Sequence, residues 1–191
     1  MLTMNTLRTG DAEAIRKEIL DINLSNLSDL IADAQYRNFF LAGPGRENYK
    51  LIASIASLFP GQKVFDLGTY FGLASVAMSM NPEVQVISYD TIERKRLTSL
   101  PTNITYNIGD PLTDPELLKS PFIFIDLEPH DGINEQIMHN FFVDNKYQGV
   151  VVWANINCNA AMTGWWVGLT YKRADITNAG HWAGTGLMIY E

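Results

Sequence analysis

The chain has 191 residues, 47% of them hydrophobic and 18% charged, the composition of one globular α/β domain rather than of a disordered segment. Fourteen Lys and Arg against 21 Asp and Glu give a net charge of −7, which argues against a nucleic-acid backbone or an anionic membrane surface as the main partner. The single cysteine, Cys158, excludes an internal disulfide framework and any multi-cysteine metal site, and it suits a reducing compartment.

Residues 1–60 read as helical. Ile15, Ile19 and Leu20 fall at helical spacing with charges on the opposite face, which predicts a helix over 11–20. Ser25 to Ser28 offers an N-cap for a second helix running towards Phe40, and Ala42–Gly45 is a breaker. A third helix is predicted over 47–59, with Leu51, Ile52, Ile55, Ala56 and Leu58 on its apolar face, stopped by Pro60 and Gly61. No apolar run is long enough to span a bilayer, and the stretch up to Lys17 lacks an apolar signal core. A cytoplasmic protein is therefore expected, and the glycosylation sequons at Asn23, Asn26 and Asn103 are read as coincidental.

Beyond residue 60 the pattern changes to short apolar strands separated by helical stretches. Strands are predicted at 63–67, 84–90, 103–108, 121–126 and 149–153, with helices over 72–80 and 135–143. Runs that are apolar on both faces belong in a parallel sheet covered by helices on each side. Residues 171–176 and 187–190 read as two strands with a Gly-rich loop and no helix between them, an antiparallel hairpin at the sheet edge.

In an open parallel sheet, ligands bind beyond the carboxyl ends of the strands. Those ends are polar here: Asp66 with Gly68 and Gly72, then Asp90, then Gly109 and Asp110, then Asp126, Glu128, His130 and Asp131. The two glycines let the first turn approach a ligand closely. A carboxylate before that turn disfavours a pyrophosphate, and the Gly-x-x-x-Gly spacing is not that of a dinucleotide fold. Asp90 is placed to accept ribose hydroxyls. An acid at the first turn followed by a ribose acceptor suits S-adenosylmethionine (SAM) better than NAD.

The run DLGTYFGLASVAMSM over 66–80 resembles motif I of class I SAM-dependent methyltransferases, in particular the catechol-type O-methyltransferase branch. The resemblance implies a Rossmann-like class I methyltransferase sandwich: a mostly parallel seven-stranded sheet with a C-terminal antiparallel hairpin and N-terminal helices. Residues 1–60 would form a helical extension or lid, and 61–191 the SAM-binding domain, as one structural unit. Asp66 would organise the methionine end, Gly68, Thr69, Tyr70 and Gly72 would shape the floor, Asp90 would hold the ribose, and Asp110 would face the adenine. Tyr89 and Ile92 would line the adenine site.

The sequence departs from that branch where the family holds a metal. Asp126 matches the first ligand position, but Ala154 and Asn155 stand where a carboxylate and its neighbour are expected. Asp126 and Asn155 are thus the candidate metal ligands, and a divalent ion such as magnesium is not favoured. The family's lysine after the fourth strand is also missing. His130, near that place, is the candidate base beside Asp126, the alternative being a solvated loop residue.

The bland reading is preferred for several other residues. His139 and the Trp165–Trp166 pair are packing, His181 caps the hairpin, Arg94–Arg96 is a solvated helix face, and Cys158 is a buried small hydrophobe. Tyr36, Arg37, Phe39 and Phe40 form either a lid or simple packing.

The function implied is methyl transfer from SAM, to an oxygen of a small-molecule acceptor, with neither nucleic acid nor membrane as partner; a homo-oligomer is compatible. The alternative is a SAM-binding or interaction module that has lost catalysis. A weaker third reading, an oxygenase-like relative, predicts iron at Asp126 and His130.

Overall fold

Four strands that are apolar on both faces build the middle of the molecule: β1 (Lys63–Leu67), β2 (Gln85–Asp90), β4 (Phe122–Ile125) and β5 (Gly149–Ala154). β3 (Ile104–Ile108) extends the sheet beyond β2. The chain ends in β6 (Ala174–Asp175) and β7 (Thr185–Tyr190). The order is β3-β2-β1-β4-β5-β7-β6, parallel from β3 to β5, with β7 antiparallel to both of its neighbours. The structure, a computed structural model, describes residues 1–42 and 46–191. Of the breaker expected at Ala42–Gly45, residues 43–45 lie outside them.

The helices are α1 (Met4–Thr9), α2 (Ala12–Ile19), α3 (Ala34–Ala42), α4 (Arg46–Ala56), α5 (Leu73–Met78), α6 (Ile133–Asp144) and α7 (Ala160–Gly168). One apolar cluster joins Leu7, Ile15 and Ile19 of the first two helices to Leu51, Ile52 and Ile55 of α4 and to one face of the sheet, at Val64, Val86 and Phe124. A second cluster, with Phe65, Ile123, Phe142, Trp153 and Trp166, fills the other face. No helix among the described residues is long and apolar enough to cross a membrane.

Several local expectations need correction. The second helix does not run from Ser25 to Phe40: Ser25–Leu30 is a 3₁₀ turn, and α3 starts after a break. Ile31 forms a β-bridge with Leu97, and the Ala32 N–H bonds the Arg96 carbonyl at 2.9 Å, so this stretch is extended. Asp33 then caps α3 through the N–H groups of Gln35 and Tyr36, at 2.8 and 3.4 Å. Arg94–Arg96 is not on a helix; the three cations lie over the rings of Tyr70, Tyr106 and Phe71. The strand expected over 171–176 shrinks to Ala174–Asp175. Helix α7 was not foreseen; Asn159 caps it by accepting from the Met162 N–H at 3.0 Å. Cys158 is exposed, in the turn just before that helix.

The order of strands places the site. From β1 the chain steps outward to β2 and β3, then returns to β4 on the other side of β1. The crevice at the carboxyl ends of β1 and β4 is the point where the winding reverses, and there no connection covers the strand ends.

Candidate functional site

The turn after β1 forms the base of that crevice. Gly68 has φ +86°, and a Cβ there would come within 2.0 Å of the Asp126 carbonyl oxygen, so only glycine lets the two strand ends meet. Tyr70 is also left-handed, at φ 51°, and its ring remains 41% exposed in the cleft. Thr69 is buried, its hydroxyl bonded to that of Ser88 and, at 3.1 Å, to the Tyr89 carbonyl. Gly72, at φ +93°, caps α5.

Asp66 sits beneath this turn. It is fully buried, accepts from the Ser75 hydroxyl, and has one carboxylate oxygen without a partner. Burial pushes its pKa up to about 7, with the charges of Asp126 and Asp90 adding to the rise and the Ser75 bonds opposing it. It lines neither of the cavities described next, so it acts on a ligand through its field rather than by contact.

Above the turn lies a cleft of about 440 Å³. Four carboxylates line it, Asp90, Asp110, Asp126 and Glu128, with Arg94 as the one Lys or Arg. Asp90 is buried and already well bonded: it accepts from the N–H groups of Tyr70 (2.9 Å), Thr91 (2.7 Å) and Ile92 (3.3 Å) and from Arg94 Nη2 (3.0 Å). Burial opposes its ionisation, but the Arg94 and backbone bonds win and hold its carboxyl below the ordinary range. Arg94 reaches on to Glu128 at 2.7 Å and stacks on Tyr70, so it straps the cleft from the β2 side to the β4 side. The two carboxylates push its own pKa up. Asp110 caps the following turn by accepting from the Leu112 N–H at 2.9 Å. Tyr89 also lines the cleft, whereas Ile92 points outward, 55% exposed.

A second cavity of about 210 Å³ shares Gly68, Tyr70, Asp126 and Asn155 with the first. Tyr36 and Phe39 of α3, Asn48 and Tyr49 of α4, Phe71 and His181 complete most of its wall. Burial and the charges of Asp126 and Asp66 push the Tyr49 phenol up. His181 does both things weighed for it: its Nδ1 accepts from the Ala183 N–H at 3.1 Å within the loop before β7, and its ring lines the cavity. Phe40 is core instead, and Arg37 pairs with Asp29 at 4.0 Å.

Where the cavities meet, an acid, an amide and an imidazole converge. Asn155 Nδ2 donates to Asp126 Oδ1 at 2.7 Å and lies 3.3 Å from His130 Nε2. His130 Nε2 is 3.8 Å from Asp126, and its Nδ1 is 4.0 Å from the buried carboxyl of Glu135. The Asp126 side chain keeps 38% of its surface, but it sits deep in the cleft, and desolvation raises its pKa against the pull of His130 and Asn155. Burial raises Glu135 too. His139 is packing, bonded at 2.7 Å to the Tyr190 hydroxyl.

Asp126 and Asn155 are adjacent, yet the donor set does not fit a divalent cation. The amide turns its N–H, not its oxygen, towards the carboxylate, and Ala154 adds no ligand. Among the described residues no three His, Cys, Asp or Glu side chains are grouped to hold a metal ion.

Sequence reasoning missed Asn48, Tyr49 and Glu135. The first two lay inside an amphipathic helix pattern, and Glu135 read as an ordinary helix-start acid.

No protein-family model matches the sequence, and no curated protein matches it. Solved structures do. Cofactor-bound Rv0187 from MTB is 16% identical over 94% of this chain and 89% of that one, with a TM-score of 0.56. The SAH-bound Podospora anserina methyltransferase PaMTH1 is 11% identical over 100% and 98%, with a TM-score of 0.55. A protein assigned as a caffeoyl-CoA O-methyltransferase from Staphylococcus aureus is 13% identical over 95% and 92%, with a TM-score of 0.53. The seven-stranded sheet with its antiparallel last pair, the glycine turn at the winding reversal and these likenesses agree: the chain has the class I SAM-dependent methyltransferase fold, in a form resembling the O-methyltransferase branch.

Proposed function

We propose that the protein transfers a methyl group from SAM to an oxygen of a small-molecule acceptor. The observation that carries the reading is the acidic cleft at the strand ends, which opens over Gly68 into an aromatic-walled cavity. Four carboxylates against one arginine suit a cationic nucleoside and repel a phosphorylated one.

The residues fit SAM by charge and by position. Asp90 would hold the ribose, with Arg94 giving up its contact there. Asp110 would border the adenine, while Gly68, Thr69, Tyr70 and Gly72 shape the base and the buried Asp66 adds negative potential beneath. When bound, SAM supplies a methyl group made electrophilic by its sulfonium, so the protein's task is alignment and proton removal. His130 would take the acceptor proton on Nε2. Asn155 faces that nitrogen and Glu135 faces Nδ1, an arrangement that suits the tautomer with its proton on Nδ1. Asp126 fixes Asn155 and favours the imidazolium that forms.

Calorimetric titration of metal-stripped protein with S-adenosylhomocysteine (SAH), with NAD as control, tests the cofactor. Micromolar SAH binding that weakens at least tenfold in Asp90→Ala is expected; no SAH binding, with or without magnesium, sinks the reading. Ala154 favours a second reading, a binding module without catalysis, for which SAH binds but no acceptor is methylated.

A further inference from the structure

The smaller cavity contains a polar atom with nothing to bond. Asn48 is only 5% exposed, its Oδ1 has no hydrogen-bond partner, and its side chain lines the cavity. An amide oxygen left unpaired in that way costs roughly 1–3 kcal/mol, so a buried orphan facing an open space points to something that fills the space. The rest of the wall narrows what that is. Its lining holds no Lys or Arg, and burial lowers the pKa of His181, which favours a neutral ring. Tyr36, Phe39, Tyr49 and Phe71 present rings, and Asp126 stands at the junction with the larger cleft. Rings and a carboxylate favour a cationic nitrogen. Asn48 and Tyr49 belong to the first turn of α4, and the unpaired N–H groups of such a turn favour a carboxylate.

We propose that this cavity is a subsite for a zwitterionic α-amino acid group, held by the side-chain amide of Asn48. Oδ1 accepts from the ammonium and Nδ2 donates to the carboxylate, so one amide satisfies both charges of the group. The inference rests on the cofactor reading above, because SAM carries such a group at the end opposite its nucleoside. It goes beyond that reading by making Asn48 the anchor of that end. The nucleoside stays in the large cleft, and the chain between them crosses Gly68.

The test compares SAH with 5′-methylthioadenosine, which keeps the nucleoside and the sulfur but lacks the amino acid group. Wild-type protein is expected to bind SAH at least tenfold more tightly. Asn48→Leu should erase most of that difference, weakening SAH about tenfold while leaving methylthioadenosine within twofold. Its unfolding temperature should hold or rise, since the change removes an orphaned polar atom. Asn48→Ala repeats the comparison with less bulk. Equal wild-type affinities for the two compounds overturn the subsite without any variant, as does an Asn48 variant that leaves SAH binding intact. Should wild-type protein bind neither compound, the cofactor reading itself fails and the subsite goes with it.

Discussion

At the scale of single residues, Asp66 gives the clearest pH prediction. Its proton stays on to about pH 7 in the folded chain, against an ordinary value of 3.8. Between those values folding takes up a proton, so this residue makes stability fall as pH rises through the window, and the loss is complete above pH 7. Asp66→Asn should flatten that slope; denaturant titrations at pH 4.5 and 8 should show a difference of roughly 2–4 kcal/mol between wild type and variant. An identical slope in both proteins would place the titration elsewhere. Gly68 makes a second case. Adding a methyl at φ +86° against the Asp126 carbonyl should cost at least about 2 kcal/mol in Gly68→Ala and weaken SAH binding as the strand ends separate. For chemistry, His130→Ala should lower turnover at least a hundredfold while SAH affinity stays within twofold. Unchanged turnover would remove His130 from the reaction. Asp90 and Asp126 were legible as rim acids because they end apolar runs. Which of their lone pairs are already taken was not, because this depends on the path of the loop after β2 and on the side-chain direction of Asn155.

At the scale of elements, the strap formed by residues 91–97 matters most. Arg94 holds Asp90 and Glu128 together across the cleft, and Leu97 ties the same loop to Ile31. A ribose at Asp90 competes with the guanidinium, so Arg94→Gln should tighten SAH binding about three- to tenfold. Weaker binding would mean that Arg94 holds the ligand itself. The central strands were readable because burial on both faces leaves a continuous apolar run. The split between the 3₁₀ turn and α3 was not, since the bridge of Ile31 with Leu97 joins residues far apart in sequence. Helix α7 escaped for a different reason: Trp165, Trp166 and Val167 follow one another between two glycines, so no apolar stripe marks its face.

At the scale of the molecule, the sheet divides two apolar clusters, and the N-terminal helices belong to one of them. Leu7, Ile15 and Ile19 are almost wholly buried in the cluster that supports the back of β1 and β2. Deleting residues 1–22 should therefore lower the unfolding temperature by ten degrees or more instead of only opening a lid. A truncated protein that melts with the full chain would show the extension to be dispensable. The acidic lining of the cleft bears on turnover as well as on recognition. SAM arrives with a sulfonium charge and SAH leaves without it, so the attraction that gathers the substrate is switched off by the reaction. Product escape is thereby eased: raising salt from 50 to 500 mM should weaken SAM binding severalfold yet barely alter SAH, and inhibition by accumulated product should be mildest at low ionic strength.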